Sequence, residues 1–339
     1  MRTRSDLISN LALAGAAAFC FAQPTLMARR SRPPRLRTNI GRMQSQIRSV
    51  VPRPQSLAPS RLLPSHEVAR GAGRRLNGGV ALLALSVLSD SAIEHYRGSF
   101  ANRAMYAPLL TAALTLGAGL SGTVDARAGR HSLRDAIYAG AAATGLAGLA
   151  FHSYNISKRP GRVSWSNLFY AAPLGAPAAL ILAGLIGRGA ERIRDARAPR
   201  RATILGLPAG RLLAAVSAAG LAGTVGEAGL LHFRGAYHNP AMLAPVTAPP
   251  LAAAFLGATA LRPNRLANRL ARWWLGLTAF LGFAGVGFHV YGVARNMGGW
   301  RNWRQNLLNG PPLPAPPSFT GLALAGLAAL SLIEEETDA

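Results

Sequence analysis

Eight stretches of this chain, roughly 79–96, 106–124, 135–153, 168–187, 209–232, 241–261, 273–294 and 318–333, are nearly free of charge and built of Ala, Leu and Gly. Each approaches or reaches the ~20 residues that cross a hydrocarbon core as a helix, the first and last being short. Lipid offers no partner for a free backbone N–H or C=O, so runs of this kind must be helical. A β-barrel would need alternation of period two, and GAAATGLAGLAF (140–151) has none. The fold class expected is all-α: a polytopic integral membrane bundle of about eight transmembrane helices. Composition agrees, since only 15% of residues are charged against about 25% in a soluble domain.

The formal charge of +24 comes from 37 basic residues, of which only Lys158 is a lysine. The arginines fall mostly between the apolar tracts, beside no RNP, helix-turn-helix or zinc-finger pattern, so no nucleic-acid partner is expected. They read instead as topology. Segments 1–78, 125–134, 188–211 and 262–272 hold about three quarters of them, which places both termini inside under the positive-inside rule. The arginine-rich, lysine-poor usage suggests a bacterial cytoplasmic (inner) membrane, with the lipid bilayer itself as the first partner. Residues 1–78 form a basic, Pro/Arg-rich extension too polar to fold alone. Within it MRTRSD and LISNLALAGAAAFCFA resemble a signal peptide, with a ninth span or true initiation near Met43 as alternatives.

The chain repeats itself. HYRGSFANRAMYAP (95–108) and HFRGAYHNPAMLAP (232–245) share His, Arg, Gly, Asn, Ala, Met, Ala and Pro in register at an offset of 137, whereas 81–94 and 218–231 share one alanine. Identity confined to one polar stretch means that this stretch resisted change while its helix drifted. His152 and Tyr154 match His289 and Tyr291 at the same offset, and Trp165, Asn167 and Pro173 match Trp303, Asn306 and Pro312. The expected domains are repeat 1 (79–190), a basic cytoplasmic linker (191–208), repeat 2 (209–333) and an acidic tail (334–339). Four helices per repeat keep both halves parallel, which implies pseudo-twofold symmetry about the membrane normal.

That arrangement sets His95, His152, His232 and His289 at one depth near the outer face, as a haem or metal site requires. The cofactor expected is haem b or a transition metal. Asp90, Glu94 and Glu227 are acids inside spans, hence functional candidates by default; i to i+5 is about 140° on a helix, so Asp90 and Glu227 suit a second shell or proton handling. Arg97 and Arg234 could clamp an anionic group such as a haem propionate, or snorkel. Gly98 and Gly235 are expected to end helices in left-handed conformation. Asn102, Asn239, Asn167 and Asn306 are expected as helix caps. Trp165, Trp300 and Trp303 suit an outer aromatic belt and Trp273 and Trp274 an inner one. His66, His131 and His238 stand outside the symmetric set. PPLPAPPS (311–318) is expected to be a stiff connector that could dock a partner.

Cys20 is the lone cysteine, so disulfides, Cys-ligated clusters and c-type haem attachment are excluded. No GxSxG, HExxH or Walker pattern occurs. The functional expectation is a membrane subunit of a redox system with a histidine-ligated centre. The alternatives are a cofactor-free scaffold or assembly subunit, meeting a periplasmic or membrane protein through loops 97–106, 155–167, 234–241 and 295–317, and a transporter or channel using Asp90 and Glu227.

Overall fold

The computed structural model describes residues 63–127, 129–170, 173–195 and 202–337. The signal-like segment, Cys20 and Met43 lie outside the described residues. The described chain is helical apart from a two-residue-per-strand antiparallel hairpin, β1 (Thr203–Ile204) and β2 (Leu207–Pro208). Its helices are α1 (Leu63–Arg97), α2 (Ala107–Val124), α3 (Ser132–Ser157), α4 (Trp165–Tyr170), α5 (Gly175–Asp195), α6 (Ala209–Arg234), α7 (Ala248–Leu261), α8 (Arg265–Arg295), α9 (Trp303–Asn309) and α10 (Pro317–Thr337). Short 3-10 turns precede α2, α7 and α9.

Six helical segments are long and apolar enough to cross a membrane: Glu67–Arg97, Arg103–Val124, Ala209–Arg234, Pro240–Leu261, Arg265–Arg295 and Pro317–Thr337. The protein is thus a multi-pass membrane protein. Among the eight expected spans, α3 and α5 fall outside this set. Gly, Ser and His dilute α3, and α5 carries Arg188, Glu191, Arg192, Arg194 and Asp195 in its second half. The tract 168–187 is also interrupted, because α4 stops at Tyr170 and α5 starts only at Gly175.

Helices α1, α2, α3 and α5 close one four-membered ring and α6, α7, α8 and α10 another; α1 against α10 and α5 against α6 join them. Of the joining helices, α1 and α10 are the enclosed ones, whereas the α6 window is 28% buried. Of the apolar window of α10, 72% is buried, against 22% for the windows containing α7 and α8. Helix association in lipid gains little from the hydrophobic effect and rests on close van der Waals packing of small residues. Gly79 and Gly321 show this. A Cβ on Gly79 would come within 2.5 Å of the Gly321 carbonyl oxygen, and one on Gly321 within 2.7 Å of the Gly79 oxygen, so the α1 and α10 backbones touch. Interhelical hydrogen bonds add about 0.6 kcal/mol each on average, as where Thr320 Oγ1 donates to the Ala279 carbonyl at 2.8 Å.

The boundaries differ from expectation in three places. Helix α1 begins at Leu63, inside the segment read as an unfolded extension. Ala69, Ala72, Leu76, Val80, Leu83 and Val87 form its buried stripe, and the first three were masked in the sequence by neighbouring arginines. Helix α5 continues to Asp195, into the supposed linker, because Glu191 and Arg194 are buried by ion pairing. Helix α10 runs to Thr337, through most of the acidic tail.

Candidate functional site

Each repeated histidine lies within the last two turns of a long helix and reaches a carbonyl of a following segment. His95 Nδ1 donates to the Met105 carbonyl at 2.7 Å and His232 Nδ1 to that of Met242 at 2.8 Å. His289 Nδ1 donates to the Pro312 carbonyl at 2.7 Å, and His152 Nδ1 to that of Pro173. Since a carbonyl only accepts, Nδ1 carries a proton in all four rings, and in the neutral imidazole Nε2 is then the nitrogen with the lone pair. A backbone carbonyl fixing one ring nitrogen is the usual support of a metal-ligating imidazole. His232 and His289 are neighbours, ring centroids 6.5 Å apart at 70°. Among the described residues no group of three or more His, Cys, Asp or Glu side chains is gathered as a metal would need.

The loop after the first and third of these histidines has the same construction twice. Asn102 and Asn239 accept from the amides of Ala104 and Ala241, both at 2.9 Å, and cap their 3-10 turns as expected. Ser99 and Phe100 (φ 54° and 47°) and Ala236 and Tyr237 (φ 56° and 46°) are left-handed. Non-glycine residues there cost about 1–3 kcal/mol each and persist only where the surroundings enforce them. The expectation for Gly98 and Gly235 is corrected: neither has positive φ, and Gly235 sits at −82°. Both lie close to the end of a flexible side chain instead. A Cβ would meet the methionine methyl of Met105 at 3.1 Å or of Met242 at 2.9 Å, the residues whose carbonyls hold His95 and His232.

Arg97 and Arg234 are not free clamps. Arg97 pairs with Glu94 at 3.0 Å and also donates to the Leu308 carbonyl of α9. Arg234 lies 5.1 Å from the Tyr170 ring centre of α4, a cation–π contact. Each arginine thus braces the short helix that belongs to the other ring. Asn167 and Asn306 do not cap as expected. Asn167 Nδ2 donates to the Pro160 and Arg162 carbonyls and Asn306 Nδ2 to those of Met297 and Gly299, because both sit inside short helices with bare loop carbonyls beside them. In the 311–318 segment Pro314 and Pro316 are buried, and the Pro314 carbonyl accepts from Ser86.

The acids come together. The Asp90 carboxyl lies within electrostatic reach of Glu94, Glu227 and Arg97. Glu227 accepts from the Gly175 amide at the first residue of α5, where the helix dipole favours an anion. Its carboxylate occupies the place a Cβ on residue 175 would take. Trp165 and Trp273 are 71% and 76% exposed, as a lipid-facing belt needs, whereas Trp274 packs partly against the core. His131 caps α3 by accepting from the Arg134 amide, and His238 donates locally to Gly235. The His66 side chain lies outside the described residues.

A second polar centre, at the opposite end of the helices, was not foreseen. Buried Arg134 donates to Glu191 through Nε (2.8 Å) and Nη2 (3.2 Å), and to Asp125 through Nη1 (2.9 Å). The His131 amide also donates to Glu191 at 2.8 Å. Arg194 caps the end of α2 through the Gly122 and Asp125 carbonyls. The Arg127 amide, 2.9 Å away, and then the Arg134 guanidinium hold the Asp125 carboxyl below the usual carboxylate range against partial desolvation. Acids set among arginines (Asp125, Asp135, Glu191) were the signal available in the sequence. Family models, curated proteins and solved structures yield no match to this chain.

Proposed function

We propose that this multi-pass membrane protein is the membrane subunit of a redox system that holds a transition-metal ion between His232 and His289, near the outer face of a cytoplasmic membrane. The observation that carries the reading is the ring pair itself. Two imidazoles sharing one ion at about 2.0–2.1 Å each hold their ring centres roughly 5 Å apart at a tetrahedral angle and about 6.3 Å apart in line, so the 6.5 Å found requires a small closing movement to bind. Both rings are oriented by carbonyls that leave Nε2 as the ligating atom. Haem b, held by the same two nitrogens, is the bulkier form of this proposal. In it α3 and α5 join the six apolar segments as spans, both termini lie inside, and the halves are parallel repeats. The duplicated His–Met and Asn contacts support that symmetry.

The protein purified in mild detergent, analysed for metal and by absorption, tests it. One equivalent of metal or a Soret band is expected, lost in His232→Gln with His289→Gln. Neither metal nor Soret band in protein from metal-replete cells contradicts it. A scaffold is the second reading, favoured by all four Nδ1 atoms tying helix ends to following segments; a partner complex surviving those substitutions would select it. A transport reading draws on the approach of Asp90 to Glu227 and requires that Asp90→Asn with Glu227→Gln abolish flux in proteoliposomes.

A further inference from the structure

We infer that the α7–α8 junction binds an anionic phospholipid, its phosphate on Arg262, Arg265 and Arg269 and one acyl chain in the groove between the two helices. All three arginines are exposed, no acid lies between residues 262 and 272, and no carboxylate among the described residues pairs with them. Arg272 is different, being paired with Glu334 at 2.5 Å. Exposed Leu266 and Trp273 stand beside the arginines, 65% and 76% accessible, the pairing of apolar side chain and cation that fits the headgroup level.

Above this level the helices part. Helix α7 has only 14 residues and is entered through a 3-10 turn, while α8 has 31. Between them opens an apolar groove of about 330 Å³ lined by Thr247, Leu251, Trp274, Leu277 and Leu281. From Arg269 to Leu281 the helix rises ~18 Å, close to the depth of one leaflet with its headgroups, half of about 40–45 Å. A lipid with its phosphate at the arginines therefore has a chain of matching reach in the groove. The corresponding junction of the other ring, α2–α3, has its own carboxylates, Asp125 and Asp135, and needs no such counter-ion.

The test is tryptophan quenching in phosphatidylcholine bilayers containing phosphatidylglycerol, with bromine on the chains of one lipid or the other. Brominated phosphatidylglycerol is expected to quench beyond its share of the bilayer. Arg262→Gln, Arg265→Gln and Arg269→Gln should each lower that preference about fivefold, and Trp274→Phe should remove most of the preferential signal. The substituted arginines are exposed, and an unchanged circular-dichroism melt verifies folding. Equal quenching by both brominated lipids, or a preference that survives all three arginine substitutions, overturns the inference. The metal content of the protein is unaffected either way, so this outcome is separable from the fate of the histidine pair.

Discussion

The α2–α3 and α7–α8 junctions occupy the same place in their respective rings and treat their arginines in opposite ways. At α2–α3, Arg134 is buried against Glu191 and Asp125, and Arg130 and Arg188 share Asp135. At α7–α8, Arg262, Arg265 and Arg269 face outward without acids, and the position matching Arg134 at the 137-residue offset is Ala271, fully buried. One junction has turned its positive charge into internal cross-linking; the other presents it to its surroundings. Taking two charges out of water or headgroups is costly and is repaid only with good geometry, which Arg134 achieves with a two-point contact to Glu191. The lesson is that the arginine excess does two jobs, and only one of them is visible as surface charge.

The largest effect expected from breaking this contrast is at Glu191. Glu191→Ala leaves the Arg134 guanidinium buried with one carboxylate fewer, and should cost about 3–5 kcal/mol in denaturant unfolding from detergent. The double substitution Arg134→Met with Glu191→Leu makes the first junction apolar like the second. It should recover most of that loss, the non-additivity measuring the coupling directly.

A smaller effect separates the junctions by pH. Asp125 is held below its ordinary pKa in the folded state, so the unfolded chain binds the proton more readily. Its contribution is present above the unfolded value of about 3.9 and fades as pH falls through the lower folded value. Acid melts of wild type against Asp125→Asn should therefore differ above about pH 4 and converge below it, by under about 1 kcal/mol given the group's accessibility. The smallest change is expected at the other junction: Arg262→Gln, Arg265→Gln and Arg269→Gln together should shift stability in neutral detergent by no more than about 0.5 kcal/mol per site.

The two ends of the bundle were also unequally legible. The apolar tracts could be read directly, because lipid forces an uninterrupted run into a helix wherever it occurs. The loops after His95 and His232 could be read because two copies agreed, and the hydrogen bonds from both rings to Met105 and Met242 account for that agreement. The Arg134–Glu191 pair had no such signature: its members stand 57 residues apart and match no local pattern. Gly98 and Gly235 were read for their backbone freedom, whereas neither has positive φ and a Cβ at either would crowd a methionine methyl. Asn167 looked like a cap until the carbonyls of Pro160 and Arg162 were seen beside it. The start of α1 was hidden because a buried Ala–Ala–Leu stripe ran through an arginine-rich segment, where composition spoke louder than spacing.

X-ray absorption at the metal edge, on purified protein equilibrated with zinc and dialysed, reports most directly on whether His232 and His289 share an ion. The spectrum should show imidazole nitrogens at about 2.0–2.1 Å, vanish in His232→Gln with His289→Gln, and persist in His95→Gln with His152→Gln. Zinc retained equally by the His232→Gln, His289→Gln protein, or a wild type that retains no zinc and carries neither another metal nor a Soret band, would contradict a shared centre.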